Sequence, residues 1–235
     1  MKILSIITAR SGSKGIPGKN SKLLGNKPLI SYSILSALEA DLISHVMVST
    51  DSEEIADIAK EYGAEVPYLR PSELAQDSTP TLPVIQHVIE FYKKEGQEFD
   101  AVCLLQPTCP FRPKGFVNHC IQNFIASDAD SFISVLKVPH EYNPHWTFEP
   151  DSNHLLKIAT GETAIIPRRQ ELPTAYFRDG SVYISKTILI ENENKLVGGK
   201  IAFLESNPDF YCNLDELSDW EKAEQMVINN PHLLE

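Results

Sequence analysis

"MKILSIITARSGSKGIPGKN" occupies residues 1–20, and its reading decides the fold. Residues 2–9 are a continuous apolar run, the pattern of a parallel strand covered on both faces. The run passes straight into "TARSGSKGIPGKN", residues 8–20, with glycines at 12, 15 and 18 and cations at Arg10, Lys14 and Lys19. Two phosphate-binding signatures come close and neither is met. For a Walker A loop, Gly12 and Gly18 stand one residue too far apart and Lys19 is followed by Asn20. The glycine spacing also fails G-x-G-x-x-G. What remains is a set of backbone N–H donors made accessible by glycines, flanked by three cations and no acid. Such a nest suits a polyphosphate, whose charge is spread over many oxygens.

Working outward, strand and helix alternate. Residues 28–42 have apolar residues at helical spacing after a proline, and 45–50 are strand-like. Residues 51–66 carry Asp51 or Ser52 as N-cap, acids in the first turn and Gly63 as a stop. A helix over 79–96, a buried strand over 100–108, a helix over 113–127 and a strand over 131–138 follow. Residues 139–178 break the pattern, being rich in proline, aromatic and polar residues, and read as an insertion that leaves the main sheet. Strand character returns at 180–186 and 199–206, and 213–230 close as an amphipathic helix. This alternation predicts an α/β fold of three layers around a mostly parallel sheet.

In such sheets ligands collect beyond the carboxyl ends of the strands. "ARSGSKG", "STDSEE" and "LQPTCPFRP" follow strands, and "CNLDE" lies near the end of the chain, so the pattern brings all four toward one crevice.

The net charge of −11 argues against non-specific nucleic-acid binding, while the cationic loop leaves room for a small anionic substrate. The four cysteines, at 103, 109, 120 and 212, form no C-x-x-C pair, so neither a disulfide scaffold nor a zinc site is expected. No apolar run has the length of a membrane span, and no signal peptide is evident. A reduced, cytoplasmic protein without membrane partners is the expectation.

"ARSGSKGIPGKN" resembles the opening signature of the acylneuraminate cytidylyltransferases, the CMP-sialic acid synthetase family. Its A-R-x-x-S-K-G-x-P-x-K-N pattern is matched at Ala9, Arg10, Ser13, Lys14, Gly15, Pro17, Lys19 and Asn20. The likeness extends to "VSTDSEEIADIAKEYGAEVPYLRPSELAQDSTPT", "LLQPTCPFR", "RRQELP" and "NLDELSDWEKAE". The resemblance implies a nucleotidyltransferase fold, Rossmann-like, forming a single domain over 1–235 with the insertion at a homodimer interface. It implies a Mg²⁺-dependent reaction in which CTP and a nonulosonic acid give the CMP-sugar and pyrophosphate.

It also implies roles. Arg10, Ser13 and Lys19 would hold the triphosphate with Lys14, and Ala9 and Ser11 would lie against the nucleotide. Asn20 and Arg70 would meet the cytosine and ribose, with Asp77, Ser78 and Thr79 near the ribose. Gln106, Thr108 and Tyr183 would line the sugar pocket, with Cys109 as its wall. Arg169, or its neighbour Arg168, would meet the sugar's carboxylate, a task suited to a bidentate guanidinium. Asp215 would hold the metal, with Asn213 as a weaker oxygen ligand or an orienting group, since Mg²⁺ takes one or two carboxylates plus substrate phosphates. Arg10, Lys19 and Asp215 form the implied catalytic set. Asp215 reads equally as the N-cap of the last helix. "YFRDG" (176–180) departs from the family's usual R-P-N-G or I-P-N-G and marks a changed sugar pocket. A synthetase for the eight-carbon acid Kdo and a non-catalytic nucleotide sensor on the same fold stand as alternatives. An NAD-dependent oxidoreductase is disfavoured by the glycine spacing.

Overall fold

The structure, a computed structural model, describes residues 1–234. Its centre is a six-stranded sheet built from β1 (Ile3–Thr8), β2 (His45–Ser49), β3 (Ala101–Leu104), β4 (Ser131–Lys137), β5 (Tyr176–Lys186) and β6 (Ile201–Glu205). The spatial order is β6-β4-β5-β3-β1-β2. β1 runs parallel to β2 and β3, and β4 parallel to β6, while β5 runs antiparallel to both its neighbours.

β1 is buried at five of its six positions because both faces are covered. On one face its Ile3 and Ile7 meet α1 (Leu29–Leu38), α2 (Glu53–Glu61) and α4 (Phe116–Ala126), through Ile30, Ile34, Ile55 and Phe124. On the other, Leu4 and Ile6 meet α3 (Thr81–Lys94) and α5 (Thr187–Glu193), through Val88, Tyr92 and Ile190. The layers are therefore helix, sheet, helix. Fully enclosing each Ile or Leu of this kind contributes about 1.5–3 kcal/mol. A third cluster joins Ile16 of the glycine-rich loop to Leu214 and to Trp220 of α6 (Leu217–Asn229). Through it the last helix clasps the loop that follows the first strand.

The insertion hangs from one antiparallel pair. β4 ends at Lys137, paired with Tyr176, and Val138 N–H donates to Ala175 carbonyl at 2.9 Å. The irregular segment therefore spans 138–175, and residues 176–178 belong to β5 rather than to the insertion. Within it a hairpin pairs Phe148–Pro150 with Leu156–Ile158. Asn143 is buried and donates through Nδ2 to Pro173 carbonyl at 2.9 Å, and Trp146 Nε1 donates to Ile166 carbonyl at 2.8 Å. Tyr142, Phe148, Leu155, Leu156 and Ile165 remain exposed on it.

Candidate active site

The exits of β1 and β2 are tied together by Ala9 N–H, which donates to Ser49 carbonyl at 3.0 Å. From there residues 10–22 close on themselves. Asn20, buried, donates through Nδ2 to Arg10 carbonyl at 3.0 Å, and Lys22 N–H to Gly18 carbonyl at 2.9 Å. Asn20 is thus a strut across the mouth of the loop. Ser11 binds Asp51 twice, through N–H at 2.9 Å and Oγ at 2.7 Å. Burial acts to raise the Asp51 carboxyl, but these bonds outweigh it and hold it below the ordinary value. Asp51 does not cap α2. Ser52 does, its Oγ accepting from Ile55 N–H.

Two loop cations share one carboxylate. Arg10 Nη1 and Lys14 Nζ each lie 2.5 Å from an oxygen of Asp77. Lys14 above all keeps Asp77 below the ordinary carboxylate range. Ser78 is exposed, and Thr79 Oγ1 donates to Glu73 carbonyl at 3.2 Å. Ser13 lies half-buried in the same loop.

Lys19 crosses to the far end of the chain, where its Nζ donates to Leu214 carbonyl at 2.7 Å. Burial lowers its pKa, opposed by the nearby Asp215 carboxylate. Leu214 N–H in turn donates to Thr108 carbonyl at 2.9 Å. Asn213 Nδ2 donates to Asp215 Oδ2 at 2.7 Å. The glycine-rich loop, the Gln106–Thr108 segment and the Asn213–Asp215 segment therefore meet at one place. Asp215 is not the cap of α6, since Glu216 and Asp219 form a capping box there. Asp219 Oδ2 accepts from the N–H groups of Asp215 and Glu216 at 3.1 and 3.0 Å, which leaves the Asp215 side chain outside the cap.

Asp215 supplies a carboxylate, while Asn213 turns its Nδ2 toward that carboxylate and its Oδ1 accepts from Cys109 Sγ at 3.7 Å, so Asn213 stands as an orienting group rather than a second oxygen ligand. Among the described residues no group of three His, Cys, Asp or Glu side chains gathers around a metal position. The Asp215 carboxylate fits Mg²⁺ as a cation shared with substrate phosphates.

Other implied residues sit differently. The Arg70 guanidinium is buried against Ser49, with Nε donating to Ser49 Oγ at 3.0 Å and Nη2 to Ser49 carbonyl, so its contact is with the end of β2. Burial lowers its pKa. The Tyr183 ring belongs to the core beside Leu104 and Ile133, and burial raises its phenol's pKa. Arg168 and Arg169 are exposed on the insertion, with Arg168 paired to Glu171.

Two further groups brace these segments and had no role assigned from the sequence, although one of them, Asp179, lies within the "YFRDG" departure. Arg112, within "CPFRP", donates to Gln106 carbonyl at 3.0 Å, to Ser181 carbonyl at 2.9 Å and to Ser33 Oγ at 3.2 Å. Asp179, buried in β5, accepts from Ser134 Oγ, Ser206 Oγ and Ser181 N–H. It straps β4, β5 and the turn after β6. Gly180 beside it has φ +83°, and a Cβ there would meet Cys109 Sγ at 2.9 Å and Gln106 Oε1 at 3.3 Å. Glycine is required at this position both for its backbone and for the loop packed on it. Burial pushes the Cys109 thiol up to about 11, so it stands as a neutral wall rather than a nucleophile. A separate cavity of about 660 Å³, lined by Phe99, Asp100, Lys186 and Ile188, lies at the opposite end of the sheet and contains none of these residues.

The chain matches the family described as Cytidylyltransferase over residues 4–208. It is 34% identical over 236 residues to the CMP-N,N'-diacetyllegionaminic acid synthase of Legionella pneumophila, covering 100% of both chains. It is 33% identical to the pseudaminic acid cytidylyltransferase of Campylobacter jejuni, covering 95% of each. With the N-acylneuraminate cytidylyltransferase A of Danio rerio it shares 34% identity over 96% of this chain and 51% of that one. Among solved structures it resembles a CMP:2-keto-3-deoxy-manno-octonic acid synthetase complexed with CTP, with a TM-score of 0.71 at 18% identity over 97% and 99% of the two chains. That last likeness concerns the fold alone, and it agrees with the mixed sheet and flanking helices described above. The chain belongs to the cytidylyltransferase family and is a nucleotidyltransferase.

Proposed function

We propose that this protein transfers CMP from CTP to the anomeric hydroxyl of a nonulosonic acid of legionaminic, pseudaminic or sialic type and releases pyrophosphate. One observation carries the reading: the cationic loop, the Gln106–Thr108 segment and Asp215 converge through the Leu214 peptide. Full-length similarity to a legionaminic and a pseudaminic acid enzyme supports the choice of acceptor.

The chemistry is in-line displacement. The anomeric oxygen forms a bond to the α-phosphorus as the bond to the bridging oxygen of pyrophosphate breaks, the bond pair leaves with pyrophosphate, and the hydroxyl's proton passes to solvent. Such transfers rest on positioning and charge stabilisation more than on covalent work by the protein. Arg10, Lys14 and Lys19 would neutralise the triphosphate, with Ser11, Ser13 and the Ala9 backbone alongside. The triphosphate would displace Asp77 from its two cations. Gln106, its carbonyl held by Arg112, and Thr108, its carbonyl held by Leu214 N–H, would face the acceptor. Mg²⁺ held by Asp215, with Asn213 beside it, would neutralise phosphate charge when bound.

Arg169 or Arg168 would serve the sugar carboxylate of a neighbouring subunit in a homodimer. Both are exposed on an insertion that also exposes Tyr142, Phe148, Leu155, Leu156 and Ile165, a surface that suits burial against a second copy. No helix among the described residues is long and apolar enough to cross a membrane, in keeping with a cytoplasmic site of action. Mass spectrometry of a reaction with CTP, Mg²⁺ and a nonulosonic acid tests the proposal. A CMP-sugar formed from CTP and not from ATP supports it, and unchanged CTP with every such acid overturns it.

A further inference from the structure

Gly15 is exposed, and its backbone lies outside the positive-φ region, so neither burial nor dihedral strain calls for glycine there. Its neighbour does. A Cβ at position 15 would lie 2.0 Å from the Asp215 carbonyl oxygen, 3.2 Å from its carbon and 3.8 Å from Glu216 Cα. The contact is with backbone, which cannot rotate away as a flexible side chain would.

The Asp215 segment is also unable to retreat. Asp219 accepts from the Asp215 and Glu216 N–H groups, and Leu214 N–H is committed to Thr108 carbonyl. The Leu214 side chain is fully enclosed in the cluster with Ile16 and Trp220. On the loop side, Ile16 is held in the same cluster and Lys19 Nζ binds Leu214 carbonyl. Two anchored segments thus pass each other at a separation that only a missing side chain permits.

We propose that Gly15 is a positioning residue for the transfer: its lack of a Cβ fixes the distance between the cationic loop and the Asp215 carboxylate. The proposal rests on the functional reading above. A Cβ would force the loop outward by more than 1 Å, on van der Waals grounds, and displacements of that size at a reacting centre cost on the order of 10²-fold in rate.

The test is Gly15→Ala, with steady-state kinetics, calorimetric CTP affinity and thermal melting measured on the same preparation. Alanine is compatible with the local dihedrals, but moving anchored backbone costs about 1–3 kcal/mol, so the thermal midpoint is expected to fall by several degrees while a single cooperative transition is kept. The expected result is a kcat lower by about 10²-fold, with CTP affinity within about threefold of wild type. Adding Asp215→Glu lengthens the carboxylate arm, and the double variant is expected to recover at least about threefold over Gly15→Ala, although Asp215→Glu alone loses activity. A wild-type kcat in Gly15→Ala, a kcat loss matched by an equal loss of CTP affinity, or simply additive losses in the double variant would overturn the proposal. Wild-type turnover in the same assay separates the two ideas. An inactive wild type overturns the functional reading and this one with it, whereas an active wild type with an equally active Gly15→Ala overturns only the positioning role.

Discussion

Lys19 Nζ donates to the backbone carbonyl of Leu214 at 2.7 Å, across 195 positions of sequence. One ammonium therefore belongs to the cationic loop and to the segment that carries Asp215. Charge-assisted bonds of this kind fix geometry more firmly than neutral ones.

Lys19→Ala removes the proposed phosphate cation and this tether together. Turnover is expected to fall by about 10²–10³-fold, the scale of losing one positioned electrostatic group. Circular dichroism and the thermal midpoint are expected to stay near wild type, because Ile16 and Leu214 still hold the two segments in one apolar cluster. Wild-type rates in this variant would remove the loop from the reaction.

Asp77 occupies two of the cations proposed for the triphosphate. Asp77→Asn leaves Arg10 and Lys14 without this pairing. Calorimetry is expected to show CTP binding tightened by about two- to fivefold, the modest scale of exposed ion pairs, with the gain shrinking in high salt. Weakened binding would instead assign Asp77 a direct contact with the nucleotide.

Arg112 satisfies the Gln106 and Ser181 carbonyls from a half-buried position. Arg112→Ala strands these acceptors, and urea unfolding is expected to show a loss of about 3 kcal/mol. A loss below about 0.5 kcal/mol, the scale of ordinary surface changes, would contradict a structural role for these bonds.

The Asp51 carboxyl is held below its ordinary value by Ser11. A group lowered in the folded state stabilises above its unfolded pKa of about 3.9 and loses that contribution as pH falls through the folded value. Stability differences between wild type and Asp51→Asn are therefore expected to be full at about pH 6 and to shrink below about pH 4. Equal differences at both pH values would mean that Asp51 acts without its charge.

Much of this was legible in the chain because it depends on local pattern. The apolar run over 2–9, the helical spacing in 81–94 and the break at the insertion all follow from residue order. The direction of β5 did not, since a strand buried on both faces has the same composition whichever way it runs. Nor did α5, whose seven residues "TILIENE" open with two β-branched side chains and hold their place by packing Leu189 and Ile190. At the site, the cationic loop was marked by its own charges. Arg112 and Asp179 carry no such mark, because their partners, Ser181, Ser33, Ser134 and Ser206, come from distant segments. The capping of α6 by Glu216 and Asp219 rather than Asp215 was likewise a choice among neighbouring acids that only the folded geometry makes.

Pyrophosphate release with CTP and Mg²⁺ against a panel of sialic, legionaminic, pseudaminic and Kdo acids separates cytidylyl transfer to a nonulosonic acid from its alternatives. The account predicts turnover with one of the three nonulosonic acids and at most a trace with Kdo. Turnover with Kdo alone, or CTP binding with no release across the panel, would contradict it.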